Sequence, residues 1–285
     1  MDKNRRIGVV GSGTMGAGIA QVFAQTGYPV VLMDAQPEAL DRAAAGIEKS
    51  LGRLVKKGTL GHEQVPVILE RIARTTKNEG LRECQMVIEA VVESAKVKSE
   101  VLVKLDEVTS PACILATNTS SISITELAAV TQRPDKVIGM HFMNPVPVMT
   151  LVEIIRGLAT SDETYAEVES VTRELEKNPV EVQDYPGFVS NRILMPMINE
   201  AFFCLMEGVA SREDIDSVMK LGMNHPMGPL TLADFIGLDV CLNIMDVLQG
   251  GIGDDKYRAC PLMRKMVAAG HLGRKTGRGV YEYNK

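Results

Sequence analysis

The sequence predicts an α/β fold, a doubly wound and mostly parallel sheet followed by an all-helical C-terminal domain, and three observations predict it. Short, nearly continuous apolar runs recur between residues 7 and 155, the pattern of strands buried on both faces. The stretches between them carry apolar residues at helical spacing, and strands that alternate with helices pair in parallel through helical crossovers. Past Pro179 the β-branched runs become scarce, and helical patterns broken by Gly and Pro take over.

Taken in order, Ile7-Gly8-Val9-Val10 is an apolar run that ends in the turn Gly11-Ser12-Gly13-Thr14-Met15-Gly16. Met15, Ile19, Val22 and Phe23 then recur at helical spacing, and Val30-Val31-Leu32-Met33-Asp34 reads as the next strand. This is one βαβ unit. Helical patterns over 38–57 and 63–73 predict a helical hairpin spanning about 38–73. Residues 85–92 read as a strand buried on both faces, 96–108 as helix, 113–117 as strand, 124–129 as a short helix and 137–141 as another strand. A further apolar run covers 150–155. From 188 to 248 the chain reads as helices, with Ser211-Arg212-Glu213-Asp214 as a capped start. The expected boundary lies near 184–187, giving domains over 1–184 and 185–285.

Composition narrows the function. The 285 residues are 45% hydrophobic and 24% charged, which excludes a disordered or collagen-like chain. Lys plus Arg is 31 against 36 Asp plus Glu, a formal charge of −5, so no bulk field attracts nucleic acid. The five cysteines are far apart without a CxxC pair, the pattern of reduced, buried thiols. The four histidines lack metal-ligand spacing, and no bound metal is expected. No apolar run approaches the ~20 residues that cross a bilayer, and no signal peptide precedes Ile7. The expectation is a soluble cytoplasmic protein with no membrane or nucleic-acid partner.

A lone GxGxxG spacing is weak evidence. Here it follows a strand, opens a helix and has an acidic residue closing the next strand, the context of a Rossmann-type dinucleotide site. Gly11 permits the tight turn, Gly13 lets backbone approach a pyrophosphate, and Gly16 lets the helix pack on the sheet. Ser12, Thr14 and Met15 complete the helix N-terminus, whose N–H groups and dipole stabilise the pyrophosphate. Asp34, 18 positions after Gly16, can accept hydrogen bonds from a ribose diol. With Ala35 after it and no adjacent Arg, a 2′-phosphate would meet a carboxylate, so NAD is favoured over NADP. A glycine turn without ligand is the structural alternative; flavin is the competing cofactor.

Two later segments carry chemistry. Thr117-Asn118-Thr119-Ser120-Ser121 and His141-Phe142-Met143-Asn144-Pro145 each follow a buried strand, at the carboxyl ends where ligands of open α/β sheets sit. The run Thr150-Leu151-Val152-Glu153-Ile154-Ile155 holds a carboxylate where burial normally excludes one, so Glu153 needs a partner. His141 is the candidate: a carboxylate on one ring nitrogen fixes the tautomer and stabilises the imidazolium. A lone His in an apolar setting is more often a core residue, but its neighbours Ser120 and Asn144 favour a site.

These segments, together with Asp184-Tyr185-Pro186-Gly187-Phe188-Val189-Ser190-Asn191-Arg192, Met227-Gly228-Pro229, Gly237-Leu238-Asp239 and Gly273-Arg274-Lys275-Thr276-Gly277-Arg278-Gly279, resemble the 3-hydroxyacyl-CoA dehydrogenase family. The resemblance runs from about Ile7 to Tyr283. Without the hydratase portion of multifunctional relatives, the chain resembles the family's stand-alone bacterial members. The resemblance implies NAD-dependent interconversion of (S)-3-hydroxyacyl-CoA and 3-oxoacyl-CoA, with the 3-hydroxybutyryl-CoA and acetoacetyl-CoA pair as substrate. It implies His141 as acid/base held by Glu153, with Ser120 and Asn191 binding the substrate's C3 oxygen and neighbouring groups. Because Asn191 opens the helical domain, the active site would lie between the domains. It adds Glu93, Lys98, Asn118, Ser120, Asn144 and Lys275 to the cofactor set. Ser50, Lys56 and Lys57 match positions that contact coenzyme A, although Lys56 and Lys57 read alone are a solvated basic face. It also implies a homodimer formed through the helical domain. Two rivals stay open: a dehydrogenase of free β-hydroxyacids, which would use a lysine, and a non-catalytic crystallin-like scaffold.

Overall fold

Short runs with every residue buried become strands, and the helices between them cover both faces of the sheet. The computed structural model describes residues 5–283. The chain divides after Asp184 into two units. The first carries β1 (Ile7–Val10), β2 (Val30–Met33), β3 (Ile72–Thr75), β4 (Met86–Glu89), β5 (Ile114–Thr117), β6 (Val137–Phe142), β7 (Leu151–Arg156) and β8 (Asn178–Gln183). Its helices are α1 (Thr14–Thr26), α2 (Pro37–Lys56), α3 (Gln64–Glu70), α4 (Ala95–Val108), α5 (Ile124–Ala129) and α6 (Asp162–Glu174).

The eight strands form one sheet in the order β3-β2-β1-β4-β5-β6-β7-β8. Pairing is parallel from β3 through β6, as the strand–helix alternation predicts. Strand order reverses between β1 and β4, the switch point beside which ligands of such sheets bind. The β6–β7 pair is antiparallel, with His141 opposite Glu153, and β7–β8 is parallel again. Ile7, Val9, Ile19, Phe23, Leu32, Ile88 and Ile138 form the centre of the core, all fully buried.

The structure differs from the sequence reading at four elements, α3, β3, β8 and α6. The second helix of the expected hairpin is shorter, α3 ending at Glu70. Residues 72–75 are strand β3, not helix, held at the sheet edge by backbone pairing to β2 while its side chains stay half-exposed or exposed. Strand β8 was not predicted; it is mostly exposed and carries Pro179, which an edge strand tolerates because one side of its backbone needs no partner. Helix α6 has no counterpart in the sequence reading. Its polar surface hides the pattern, and its start is fixed locally by Ser161, whose Oγ accepts from Thr164 N.

The second unit is helical: α7 (Ser190–Met206), α8 (Arg212–Leu221), α9 (Pro229–Ile236), α10 (Leu238–Ile252) and α11 (Pro261–Ala268). Ser211 caps α8 by accepting from Asp214 N. Its core gathers Phe202, Leu230, Leu238, Cys241, Met245, Leu248 and Met263, none measurably exposed. Two buried carboxylates tie it together. Asp216 accepts from Leu230 N and Thr231 N at the start of α9, and Asp234 accepts from Val280 N, Tyr281 N and the Tyr283 hydroxyl. No helix among the described residues is long and apolar enough to cross a membrane.

Candidate active site

The glycine turn is built by close approach. Gly11 has φ +95°, and a Cβ there would meet the Ala90 carbonyl oxygen at 2.6 Å; a Cβ on Gly16 would overlap the Gly11 carbonyl oxygen. Gly13, the N-cap of α1, has nothing within 4 Å of where a Cβ would stand, so its backbone faces open space. Asp34 follows β2 and grips the turn: Oδ2 accepts from Ser12 N and Ser12 Oγ at 2.8 Å, and Oδ1 accepts from Gln36 N at 3.0 Å. Burial pushes its carboxyl upward, but these hydrogen bonds and the Arg42 charge outweigh that and hold it below the usual carboxylate range. An ionised Asp34 keeps acceptor capacity for a diol.

A cleft of about 470 Å³ opens beside the turn, lined by Ser12, Gly13 and Thr14, by Arg42, Gly46 and Ser50 of α2, and by Asn144 to Pro147. The residues present fit a dinucleotide: open backbone at Gly13, a helix N-terminus at Thr14, and a carboxylate at Asp34. Ser50 lines the cleft, whereas Lys56 and Lys57 do not. The cation on its wall is Arg42, which sequence reading missed. The signal was there, since Arg42, Gly46 and Ser50 recur every four residues on one face of α2.

Beyond β4 and β5 lies a charge network with a buried centre and an exposed end at Glu93. Lys98, 1% exposed, donates to both oxygens of fully buried Glu89 at 2.8 and 3.0 Å, and lies 3.3 Å from Glu93 Oε2. Glu89 also accepts from Val91 N and Thr117 Oγ1. Glu93 Oε1 in turn accepts from Thr119 Oγ1 at 2.6 Å, Ser120 N at 2.8 Å and Ser120 Oγ at 3.1 Å. Burial raises the Glu93 carboxyl, yet Lys98 and these donors together bring it below the ordinary value. Glu89 is the second residue that sequence reading missed. Its signal equals that of Glu153, a carboxylate inside an apolar run.

His141 and Glu153 face each other across the antiparallel pair, 8% and 2% exposed, with Nδ1 2.8 Å from Oε2. The hydrogen-bond network assigns the Nδ1–H tautomer, donating to the carboxylate. Asn118 Oδ1 accepts from Phe142 N at 2.9 Å and so ties the end of β5 to the end of β6. Asn191 and Lys275 belong to the second unit. Asn191 stands in the first turn of α7 and is buried, while Lys275 is paired with Asp239 at 2.6 Å.

The network yields a stability prediction. Lys98→Met keeps the stem but leaves Glu89 buried without its cation, and should cost about 3–5 kcal/mol, read as an earlier urea midpoint. The acid limb should change as well. Glu93's folded value lies below its unfolded one, so its contribution is present above about pH 4.5 and is lost as pH falls through the folded value. Removing Lys98 lifts that folded value toward the unfolded one, so the part of the acid-dependent loss that Glu93 carries should shrink in the variant. A variant with the wild-type urea midpoint would contradict the network's role.

Comparison with known proteins places this geometry. Residues 6–185 match the family described as 3-hydroxyacyl-CoA dehydrogenase, NAD binding domain, and residues 187–283 match 3-hydroxyacyl-CoA dehydrogenase, C-terminal domain. A "Probable 3-hydroxybutyryl-CoA dehydrogenase" of Deinococcus radiodurans is 58% identical over 98% of this chain and 100% of its own length. The 3-hydroxybutyryl-CoA dehydrogenase of Clostridioides difficile is 52% identical over 98% of this chain and 100% of its own. The crystal structure of (S)-3-hydroxybutyryl-CoA dehydrogenase from Ralstonia eutropha superposes with TM-score 0.96 at 54% identity, covering 99% of this chain and 100% of that one. With both of its units matched and with full-length relatives, the chain belongs to the 3-hydroxyacyl-CoA dehydrogenase family, and its first unit is an NAD-binding domain.

Proposed function

We propose that the chain is an NAD-dependent dehydrogenase that interconverts (S)-3-hydroxyacyl-CoA and 3-oxoacyl-CoA, with 3-hydroxybutyryl-CoA and acetoacetyl-CoA as its pair. The observation that carries this reading is the His141–Glu153 hydrogen bond at the ligand-binding end of the sheet. With Nδ1 committed to Glu153, Nε2 of His141 takes the proton of the C3 hydroxyl during oxidation and returns it during reduction. Glu153 stabilises the imidazolium formed on the way. Ser120, held at its N–H and hydroxyl by Glu93, and Asn191 bind the C3 oxygen. NAD, when bound, accepts the C3 hydride or gives it back. The glycine turn, Asp34, Glu93, Asn118, Asn144 and Lys275 hold it. Buried Lys98 serves that set by holding Glu93.

The acyl-CoA occupies the Ser50 end of the cleft, with Arg42 on its wall as a phosphate partner and with Lys56 and Lys57, beyond the lining, meeting the part of the coenzyme that leaves it. Two glycines of α2 test that placement. Neither Gly46 nor Gly52 has a neighbour within 4 Å of a built Cβ, but only Gly46 lines the cleft. Either change to Ala should stabilise the protein by roughly 0.5–1 kcal/mol through helix propensity. Gly46→Ala should also raise KM for acetoacetyl-CoA, while Gly52→Ala should not. Equal KM values in both variants would put the acyl-CoA elsewhere.

The helical unit exposes Val209, Val218, Leu221 and Met223 at 68%, 59%, 85% and 61%. Such a surface supports a homodimer, which sedimentation at twice the chain mass would establish and sedimentation as a monomer would refute. Four of the five cysteines are buried; burial pushes the thiols of Cys84 and Cys241 up to about 12 and that of Cys113 to about 11, which suits a reduced cytoplasmic protein.

Initial rates with acetoacetyl-CoA and free acetoacetate, each with NADH and NADPH, test the function itself. Acetoacetyl-CoA with NADH should be the preferred combination, and Asp34→Ala should weaken NADH binding and erode the preference over NADPH. Equal rates on the free acid would favour the β-hydroxyacid reading, and no turnover at all would favour a scaffold.

A further inference from the structure

The loop between β6 and β7 carries Asn144 and supplies Pro145, Val146 and Pro147 to the cleft. One side chain holds it from behind. Lys177, 8% exposed, donates from Nζ to the carbonyls of Val146 and Met149, each at 2.7 Å. No carboxylate among the described residues pairs with it, and desolvation lowers its pKa. A buried ammonium costs free energy unless its donors are used, so two neutral carbonyls hold this cation in place. The backbone before it is also constrained. Glu176 stands in the left-handed region at φ +57°, a conformation unfavourable for a side-chain-bearing residue, and Lys177 follows it inward as β8 begins. On its other side the loop presses Val146, 2% exposed, against α1 at Gly18, where a Cβ would come within 2.9 Å of the Val146 Cβ.

We propose that Lys177 is a positioning residue of the active site: its ammonium clamps the Val146 and Met149 carbonyls and so fixes the loop that presents Asn144 beside the glycine turn. Lys177 touches neither the cofactor nor the substrate. It acts through Asn144, and the inference rests on the reading of Asn144 as a cofactor contact. The far end of the loop has its own tie, Asn178 N donating to Thr150 O at 2.7 Å, so removing the clamp loosens the loop without detaching it.

The test is a double-mutant cycle in the full chain, reading kcat and KM for NADH and acetoacetyl-CoA beside the urea midpoint. Lys177→Met should raise KM for NADH or lower kcat by roughly 10- to 100-fold in total, the scale of a small misplacement of a positioning group. Lys177→Gln, whose amide can still donate to one carbonyl, should fall between Met and wild type. In an Asn144→Ala background the Lys177→Met change should add less than about twofold, because the clamp has nothing left to position. Losses that multiply in the double mutant would assign Lys177 a merely structural role and overturn the proposal. So would unfolding of both Lys177 variants, or wild-type kinetics in a folded Lys177→Met protein. An Asn144→Ala protein with unchanged NADH kinetics would instead remove the reading on which the proposal stands.

Discussion

The hydrogen bond between His141 and Glu153 exists because one strand pair runs against the direction of the rest of the sheet. β7 returns antiparallel to β6, and its register sets Glu153 directly opposite His141, so both side chains share a face. A slip of one residue would turn Glu153 to the other face and leave two buried polar groups without each other. Register is held on both sides of the pair. Apolar neighbours Met140, Phe142, Val152 and Ile154 are buried in the core, and β8 pairs with β7 along all six of its residues. The edge strand therefore matters to the site although it carries none of the chemistry.

The remaining charged residues of the first unit follow a common logic. Each carboxylate at the carboxyl ends of the parallel strands, whether fully buried like Glu89, half-buried like Asp34 or exposed like Glu93, is engaged by more than one donor, and each orders a loop. Asp34 gathers the glycine turn, Glu89 fixes Lys98, and Glu93 draws Thr119 and Ser120 together. Buried ions add little net stability when paired and cost much when orphaned. Their effect here is definition: the loops beyond β2, β4 and β5 have one well-satisfied arrangement. Ligand groups then meet donors and acceptors that are already in place, which is how such a site acts without reorganising. Asp184, the last residue of the first unit, repeats the device by accepting from Ser123 Oγ, Ile124 N and Thr125 N at the start of α5.

Legibility in the sequence followed the physics of each element. The central strands were readable because every residue in them is buried, and the glycine turn was readable because close backbone approach leaves no choice of residue. Glu153 stood out as a carboxylate in an apolar run. Glu89 sends the same signal, but it read simply as part of a buried strand. β3 was hidden because half-exposed residues 72–75 continue a helical spacing, and only backbone pairing to β2 decides their state. β8 was hidden by Pro179 and by the polar alternation that an edge allows. Arg42 shares a helix face with Ser50, a readable spacing, but what that face borders is not local, and Lys177 has no local signal. Their roles depend on which loop lies across from them, and tertiary structure supplies that partner.

In the proposed chemistry His141 moves the proton while Glu153 holds the imidazole. The direct measurement is kcat for acetoacetyl-CoA reduction by His141→Gln, in protein whose circular dichroism, melting curve and NADH affinity match the wild type. Acid–base catalysis by a positioned imidazole predicts a fall of roughly 10²–10⁴-fold. Addition of Glu153→Gln should then change kcat little, because the pair works as one unit. A folded, NADH-binding His141→Gln protein with near-normal kcat would contradict the claim.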